Sequence, residues 1–271
     1  VPMVAVSACG GESSDDQIAI SHIHDIVERD GELLLGTHQG LLRLEGDQLQ
    51  RVGDEVHDYM SVAVLPDGDL VASGHPDMRM EKYRVEGSPS VLGLIRSADG
   101  GRNWGIVDLL GQVDFHALAP SDQALYGGGS SGMIWEFRPG ASTAHALGGI
   151  EQDLRDLAAS PNDEGVLVTT SFDGRVAVTE DAAQTWEFPA GIPNLAEIEW
   201  TAGGITAVDL EGGVWAASDI SGPYRQLGQA PDEVDALLVD SEGELWLGTH
   251  DGSVWTSSDG DDWNLVRAGS G

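Results

Sequence analysis

Residues 234–266 read VDALLVDSEGELWLGTHDGSVWTSSDGDDWNLV, and they contain one complete unit of a repeat that runs through the chain. The unit consists of an apolar strand, a turn, a second apolar strand that ends in small residues, an Asp-Gly turn and two further strands. A unit near the start of the chain follows the same order, with strands predicted at 24–27, 33–38, 41–44 and 49–52. Apolar runs that recur between turn residues at a fixed period indicate a repeat architecture.

Four more units lie between these two. They cover residues 57 to about 110, 113–147, 154–188 and 198–227, and the first of them contains a long insertion at 76–91. A period of about 40 residues with four short strands is typical of propeller blades. We therefore predict an all-β fold, a single β-propeller of about six four-stranded blades over residues 21–271. A pair of β-sandwiches is the alternative, but the repetition of whole four-strand units argues against it. Because the first and last units are complete, we expect no exchange of strands between the termini.

The composition is strongly acidic. The chain of 271 residues carries 46 acidic against 13 basic residues, a formal net charge of −33. Such a charge repels nucleic acid and anionic membrane surfaces, so we expect neither as a direct partner, and we expect a monomer. A disordered acidic chain is not expected, because eight tryptophans and regular apolar strands are present.

The chain has one cysteine, which excludes an internal disulfide. Val6-Ser7-Ala8-Cys9-Gly10 is similar to the end of a bacterial lipoprotein signal, in which small residues precede an acylated cysteine. A polar run follows at 10–16 and is typical of a flexible tether. We therefore interpret residues 1–20 as a signal remnant and tether, with a lipid anchor on Cys9 and a location at the cell surface or in the periplasm. The alternative is an ordinary N-terminal tail with a chance cysteine.

Histidine is concentrated in one part of the chain. Six of the eight histidines lie between His22 and His116, in short groups with acidic or soft neighbours. In a propeller blade the start of the first strand and the end of the second share one face. Counting from the turns aligns His24, Met60 and His116 at one level of the channel. Residues two positions earlier point the same way, because side chains of a strand alternate; they are His22, Asp58 and Asp114. The same counting gives Asp156, Glu199 and Asp235 as the counterparts in the later blades.

Imidazole together with a methionine thioether suits copper, whereas imidazole with carboxylate suits zinc or iron. We predict a copper ion at the channel mouth, with zinc or iron as the alternative, and His24, His116 and Met60 as the inner ligands. Further candidate ligands are His22, His38, His57 and His75. Nearby carboxylates would fix the imidazoles by accepting hydrogen bonds from them; these are Asp25, Asp58, Asp77 and Asp114. Met78 and Met80 either add soft ligands or pack. His250 is interpreted as a turn residue, and His145 as a surface residue.

A second motif concerns the turns. Residues 97–104 have the Ser-x-Asp-x-Gly-x-x-Trp spacing of an Asp-box, a tight hairpin between the outer strands of a blade. Asp99 would accept hydrogen bonds from turn amides, Gly101 would supply a positive φ, and Trp104 would pack between blades. Residues 179–186 are a degenerate copy with Ala183 at the glycine position, and residues 257–263 are one residue short. We expect these boxes to be structural.

The boxes resemble those of BNR-repeat propellers, which include sialidases, and the resemblance covers nearly the whole chain. The motifs around His22, His57, His75 and His116 are similar to those of a bacterial lipoprotein family labelled glycosyl hydrolase-like, with members associated with copper-handling genes. This resemblance implies a glycan-binding or glycan-cleaving protein as an alternative function.

The enzyme alternative has little support in the residues themselves. A sialidase-like site needs three arginines that bind a carboxylate, and the chain shows no arginine at the mouth positions of successive blades. A plain glycosidase needs two carboxylates at a defined separation, and acidic residues are too common here for their presence to indicate one. We assign no catalytic residue. A protein-interaction propeller is a third possibility.

Overall fold

A computed structural model describes residues 18–141 and 143–270. Within them it contains 23 β-strands and one short 3-10 helix, Glu81–Tyr83. Blades 1 to 3 are formed by β1 Ile23–Arg29, β2 Glu32–Thr37, β3 Gly40–Glu45 and β4 Gln48–Arg51; β5 Asp58–Val64, β6 Leu70–His75, β7 Leu94–Ser97 and β8 Gly105–Asp108; and β9 Phe115–Pro120, β10 Leu125–Gly129, β11 Met133–Phe137 and β12 His145–Gly149. Blades 4 to 6 are formed by β13 Leu154–Ala159, β14 Leu167–Ser171 and β15 Val176–Thr179; β16 Leu195–Thr201, β17 Gly204–Asp209, β18 Gly213–Ala217 and β19 Arg225–Gln229; and β20 Val234–Val239, β21 Leu245–Thr249, β22 Val254–Ser257 and β23 Asn264–Arg267.

Each blade is an antiparallel sheet whose strands pair in chain order. The six inner strands, β1, β5, β9, β13, β16 and β20, contact one another in sequence, and β20 contacts β1, so the ring is closed. The predicted propeller of six blades is therefore confirmed. Blade 4 differs in detail, since a single bridge between Val178 and Glu187 takes the place of a fourth strand.

The hydrophobic core lies between the blades. Six clusters of buried apolar side chains are present, and each combines residues of two neighbouring blades. The cluster between blades 6 and 1 includes Ile20, which is fully buried ahead of β1. Burial of apolar side chains at every blade contact stabilises the ring as a whole, because one blade cannot bury both of its faces alone.

The termini meet without sharing a strand. The first and last blades are complete sheets, as predicted. Arg267 Nη2 donates a hydrogen bond to the carbonyl oxygen of Ile18 at 2.9 Å, and Ser270 Oγ donates to that of Ile20 at 2.6 Å. Residues 18–20, which we had placed in the tether, therefore pack with the propeller.

Each inner strand contains a β-bulge at the same place. One residue in every inner strand has no partner in the register with the second strand; the six are His24, Met60, His116, Arg155, Ala196 and Asp235. The residue before each bulge is buried and apolar. A bulge shifts the alternation of side chains by one residue. The predicted counterparts Asp156 and Glu199 are therefore wrong, since Arg155 and Ala196 occupy the equivalent positions, whereas Asp235 is confirmed.

The Asp-box turns form as predicted between the third and fourth strands. Asp99 accepts a hydrogen bond from the Asn103 amide at 2.9 Å, and Gly101 has a φ of +87°. Trp104 is buried in the cluster between blades 1 and 2. The copy at 179–186 keeps the turn although Ala183 must adopt a φ of +64°.

No helix in the described part of the chain is long and apolar enough to cross a membrane. The predicted lipid anchor at Cys9 and most of the proposed tether lie outside the described residues.

Candidate metal site at the channel mouth

The inner strands enclose a cavity of about 650 Å³ along the propeller axis. At the end where the inner strands begin, which we call the channel mouth, its lining is rich in imidazole and carboxylate groups. His24, Met60 and His116 all line this cavity, so the three predicted inner positions do face the same space.

Six of the eight histidines gather at this mouth, and they are His22, His24, His38, His75, His116 and His250. The rings of His22 and His24 have centroids 4.4 Å apart, and those of His24 and His38 are also 4.4 Å apart. His250 joins from the other side, with its centroid 4.9 Å from that of His22. Rings packed this closely bring many imidazole nitrogens, which can bind metal ions, into one small region.

The first set of possible ligands, which we call the blade 6–1 group, consists of His22, Asp235 and His250. Asp235 Oδ2 lies 2.9 Å from His250 Nδ1 and 3.5 Å from His22 Nε2. One ligand atom from each residue lies within 4.8 Å of the other two, close enough to hold one ion. The hydrogen bond to Asp235 raises the pKa of His250, whereas burial lowers that of His22.

The second set, the blade 1–2 group, consists of His24, His38 and Asp58. Asp58 Oδ1 lies 2.8 Å from His38 Nδ1 and 3.6 Å from His24 Nε2, and the two imidazole nitrogens are 3.3 Å apart. Its ligand atoms also lie within 4.8 Å of one another. Burial and then the neighbouring histidines lower the pKa of His24 to about 4, so its ring is neutral at physiological pH and has a lone pair for a metal.

His75 has a different environment from the one predicted. Its Nδ1 lies 3.3 Å from Asp58 Oδ2 and its Nε2 lies 3.4 Å from Asp114 Oδ2, so each nitrogen faces a carboxylate. The hydrogen bonds to Asp114 and Asp58 raise the pKa of His75 to about 10. His75 thus fixes two carboxylates as a cation. Asp58, predicted only to fix imidazoles, itself belongs to a possible ligand set.

His116 continues this chain of contacts. Its Nε2 lies 3.3 Å from Asp114 Oδ2, the same oxygen that faces His75. Burial favours the neutral form of Asp114, but the hydrogen bonds from His116 and His75 outweigh it and lower the pKa of this carboxyl. Asp114 thus contacts two imidazoles, as its predicted role of fixing them requires.

His57 and Asp77 lie outside the cluster of histidines at the mouth. The His57 ring is fully buried; its Nε2 contacts Glu55 at 2.9 Å, and its Nδ1 accepts the Asp77 amide hydrogen. The Asp77 carboxylate binds Arg79, with Nη2 to Oδ2 at 2.6 Å. Both ring nitrogens of His57 are engaged in a buried network with the 76–91 insertion. We had expected both residues at the mouth. They are therefore not among the residues proposed to bind metal there.

Asp25 also has a structural contact. It accepts hydrogen bonds from the Val62 amide at 2.8 Å and the Ser61 hydroxyl at 3.0 Å, which join blade 1 to blade 2. Asp156 makes the same bond to the Ile198 amide, from blade 4 to blade 5. Burial raises the pKa of Asp25 to about 7. Its oxygens therefore join two blades. We had expected them instead to accept a hydrogen bond from an imidazole.

The two methionines of the insertion, Met78 and Met80, differ in their surroundings. Met78 is exposed, and Met80 packs against the cluster between blades 1 and 2. Met60 is the methionine that lines the cavity.

His250 lies in the turn after β21, as interpreted, but it also belongs to the cluster of histidines at the mouth. It follows β21 at the position that His38 occupies after β2, in the same Gly-Thr-His sequence. That identity of position was the available signal, because in a closed ring blade 6 lies beside blade 1. The true contact, with Asp235 and His22, follows from closure of the ring.

The cavity offers little to a sialidase-like substrate. Arg155 is the only Arg or Lys among the described residues that line it, and Arg155 Nε binds Glu197 at 2.7 Å. Its Nη2 donates to the carbonyl oxygen of Val234 at 2.8 Å. One arginine engaged in this way does not form a trio for a substrate carboxylate.

Comparison with known proteins supports the fold. Residues 228–251 match the family model of the two component regulator propeller, a short part of the chain. The extracellular domain of a putative hybrid two component system from B. thetaiotaomicron is similar in structure, with a TM-score of 0.61 and 12% identity. The match covers 91% of this chain and 33% of that one, so this chain spans about a third of that protein's length. A search of the curated proteins finds no match. This short match does not assign the chain to a family, and the expected BNR family is not confirmed.

Proposed function

We propose that this protein binds transition-metal ions at the channel mouth, in a location outside the cytoplasm. The observation that carries the proposal is the gathering of six of the eight histidines at one end of the channel, with carboxylates at 2.8 to 3.6 Å from their nitrogens. These contacts join blades 1, 2 and 3, which are consecutive in the chain, to blade 6 at its other end. A purely structural role would not require so many imidazoles on the cavity side.

The donor atoms decide which ions to test. Imidazole nitrogen and carboxylate oxygen suit divalent copper and zinc, and copper has the higher affinity for such sites in the general order of divalent metals. Copper is therefore the first candidate and zinc the second, with iron as a further alternative. The large negative charge of the chain attracts cations to the mouth.

The location is part of the proposal. It is supported by the similarity to an extracellular domain and by the sequence around Cys9, which would anchor the protein through a lipid.

Equilibrium dialysis against Cu²⁺ or Zn²⁺, followed by elemental analysis, tests the proposal. A weak chelator in the buffer removes ions held only by the acidic surface. We expect wild type to retain metal, His24→Ala/His38→Ala to retain less, and the matched control His145→Ala, which changes an exposed histidine of β12, to equal wild type. If wild type retains none, or if the double variant retains as much as wild type, the proposal is wrong.

A sensor or protein-interaction role is the second candidate, and the match to the regulator propeller favours it. Sedimentation equilibrium separates the two. We expect a monomer with and without metal, whereas dimerisation that depends on metal would favour a sensor whose signal is passed to a second copy.

A further inference from the structure

The two ligand groups at the mouth are copies of one arrangement. In each, one histidine directly follows the second strand of a blade; these are His250 in blade 6 and His38 in blade 1. The second member is the bulge residue of the same blade, Asp235 or His24. The third lies two residues before the bulge of the next blade, and it is His22 or Asp58. Rotation by one blade therefore superimposes the two sets.

The distances between carboxylate and imidazole are similar in the two groups. The carboxylate lies 2.9 Å from the histidine after the second strand in the blade 6–1 group and 2.8 Å in the blade 1–2 group. The other imidazole lies at 3.5 Å in the first group and 3.6 Å in the second. The carboxylate occupies a different position in each group. It is the bulge residue Asp235 in the blade 6–1 group, whereas in the blade 1–2 group it is Asp58, which comes from the next blade.

The two groups share no residue. Each contains two imidazoles and one carboxylate, which together supply three protein ligands, the number usual in open metal sites. His22 and His24 lie on the same strand with ring centroids 4.4 Å apart, so two bound ions would lie side by side.

The pattern stops after these two groups. The next set around the ring is His75, Met60 and Asp114, and both nitrogens of its histidine face carboxylates. The remaining three sets each contain at most one histidine: Ser130, His116 and Asp153; Phe172, Arg155 and Asn194; Leu210, Ala196 and Glu233. The two sets that contain two imidazoles each therefore lie in blades 6, 1 and 2.

We propose that the mouth binds two transition-metal ions, one in the blade 6–1 group and one in the blade 1–2 group. This inference rests on the proposed function and specifies its stoichiometry. His75 contacts Asp58 Oδ2, the oxygen that His38 leaves free of contact in this group.

Metal stoichiometry tests the inference, with Cu²⁺ and Zn²⁺ as probes in equilibrium dialysis. We expect two ions per chain in wild type, one in His250→Ala and one in His38→Ala, and none in the double variant. His250 and His38 are largely exposed, so both variants should fold, which circular dichroism would check. Should His38→Ala unfold, Asp58→Asn replaces it with the same expected stoichiometry.

Electron paramagnetic resonance of the Cu²⁺ form adds an independent measurement. Wild type should show dipolar coupling between two copper ions, and each single variant should show an isolated ion. One ion per chain in wild type, lost in both single variants, would overturn the inference and leave the proposed function standing. No ion in wild type would overturn both.

Discussion

At the scale of single residues, surroundings decide what each histidine can do. His57 is fully buried and its nitrogens contact Glu55 and the Asp77 amide, whereas His24 lines the cavity. Glu55 also accepts hydrogen bonds from Tyr83 and Lys82, both at 2.6 Å. The sequence predicted that His24 faces the channel. It did not show that His57 lies elsewhere, because the contacts of His57 depend on the fold of the 76–91 insertion.

A substitution separates the structural histidine from those at the mouth. His57→Ala would leave the Asp77 amide without its acceptor and Glu55 with one donor fewer. We expect the free energy of unfolding to fall by about 2–4 kcal/mol, since buried polar groups that lose a partner are costly. Urea denaturation measures this change, and dialysis should find the metal content of the folded variant unchanged. A variant of normal stability that had lost its metal would contradict this assignment.

Glu199 gives a prediction about pH. It lines the cavity on β16, and burial raises its pKa to about 8, whereas an unfolded glutamate has a pKa of about 4.3. The folded protein therefore holds a proton that the unfolded chain releases between these pH values. The contribution of Glu199 to the free energy of unfolding is therefore fully present below about pH 4 and is lost as the pH rises through about 8.

Glu199→Gln replaces the protonated acid with a neutral group of similar shape. In metal-free buffer we expect the variant to be more stable than wild type by about 1–3 kcal/mol at pH 8.5 and by much less at pH 5. Denaturation curves at the two pH values measure the difference. A stability difference that is the same at both would show that this carboxyl does not titrate as described.

At the scale of elements, the turns were predictable and the bulges were not. The Asp-box spacing specified the turn at 97–104, because asparagine, aspartate and glycine have local roles that depend little on the rest of the fold. The bulge at each inner strand has no such local signal. Counting from the turns placed Asp156 one residue and Glu199 three residues beyond the bulge positions, which Arg155 and Ala196 occupy.

Gly101 offers a test of the turn and of the packing beneath it. Its φ is +87°, and an added Cβ would clash with Leu41 Cδ2. Gly101→Ala should lower the free energy of unfolding by about 2–4 kcal/mol through backbone strain and overpacking together. Gly46, in the outer hairpin of blade 1, has a φ of +63° and open space around it.

Gly46→Ala is thus the matched control for strain alone, with an expected cost of about 1–2 kcal/mol. Thermal or urea unfolding of both variants gives the packing contribution as their difference. Equal costs would mean that the contact with Leu41 adjusts freely.

At the scale of the whole molecule, closure of the ring creates the site. The period of the repeat allowed the number of blades to be predicted, and the position of His38 and His75 indicated one shared face. The partner of His22 lies more than 200 residues further along the chain, in blade 6. The sequence predicts the site in blades 1 to 3, because the grouped histidines lie in blades that are neighbours in the chain. The proposed ligands span the junction where the ring closes, between blades 6 and 1.

The location of bound metal tests the central claim most directly. Crystals soaked in Zn²⁺ would be measured on both sides of the zinc absorption edge. We predict anomalous peaks at the channel mouth, with nitrogen ligands at about 2.0–2.1 Å. The peaks should lie between His22, Asp235 and His250 and between His24, His38 and Asp58. A mouth without any anomalous peak, while zinc binds only at acidic groups on the outer surface, would contradict the account.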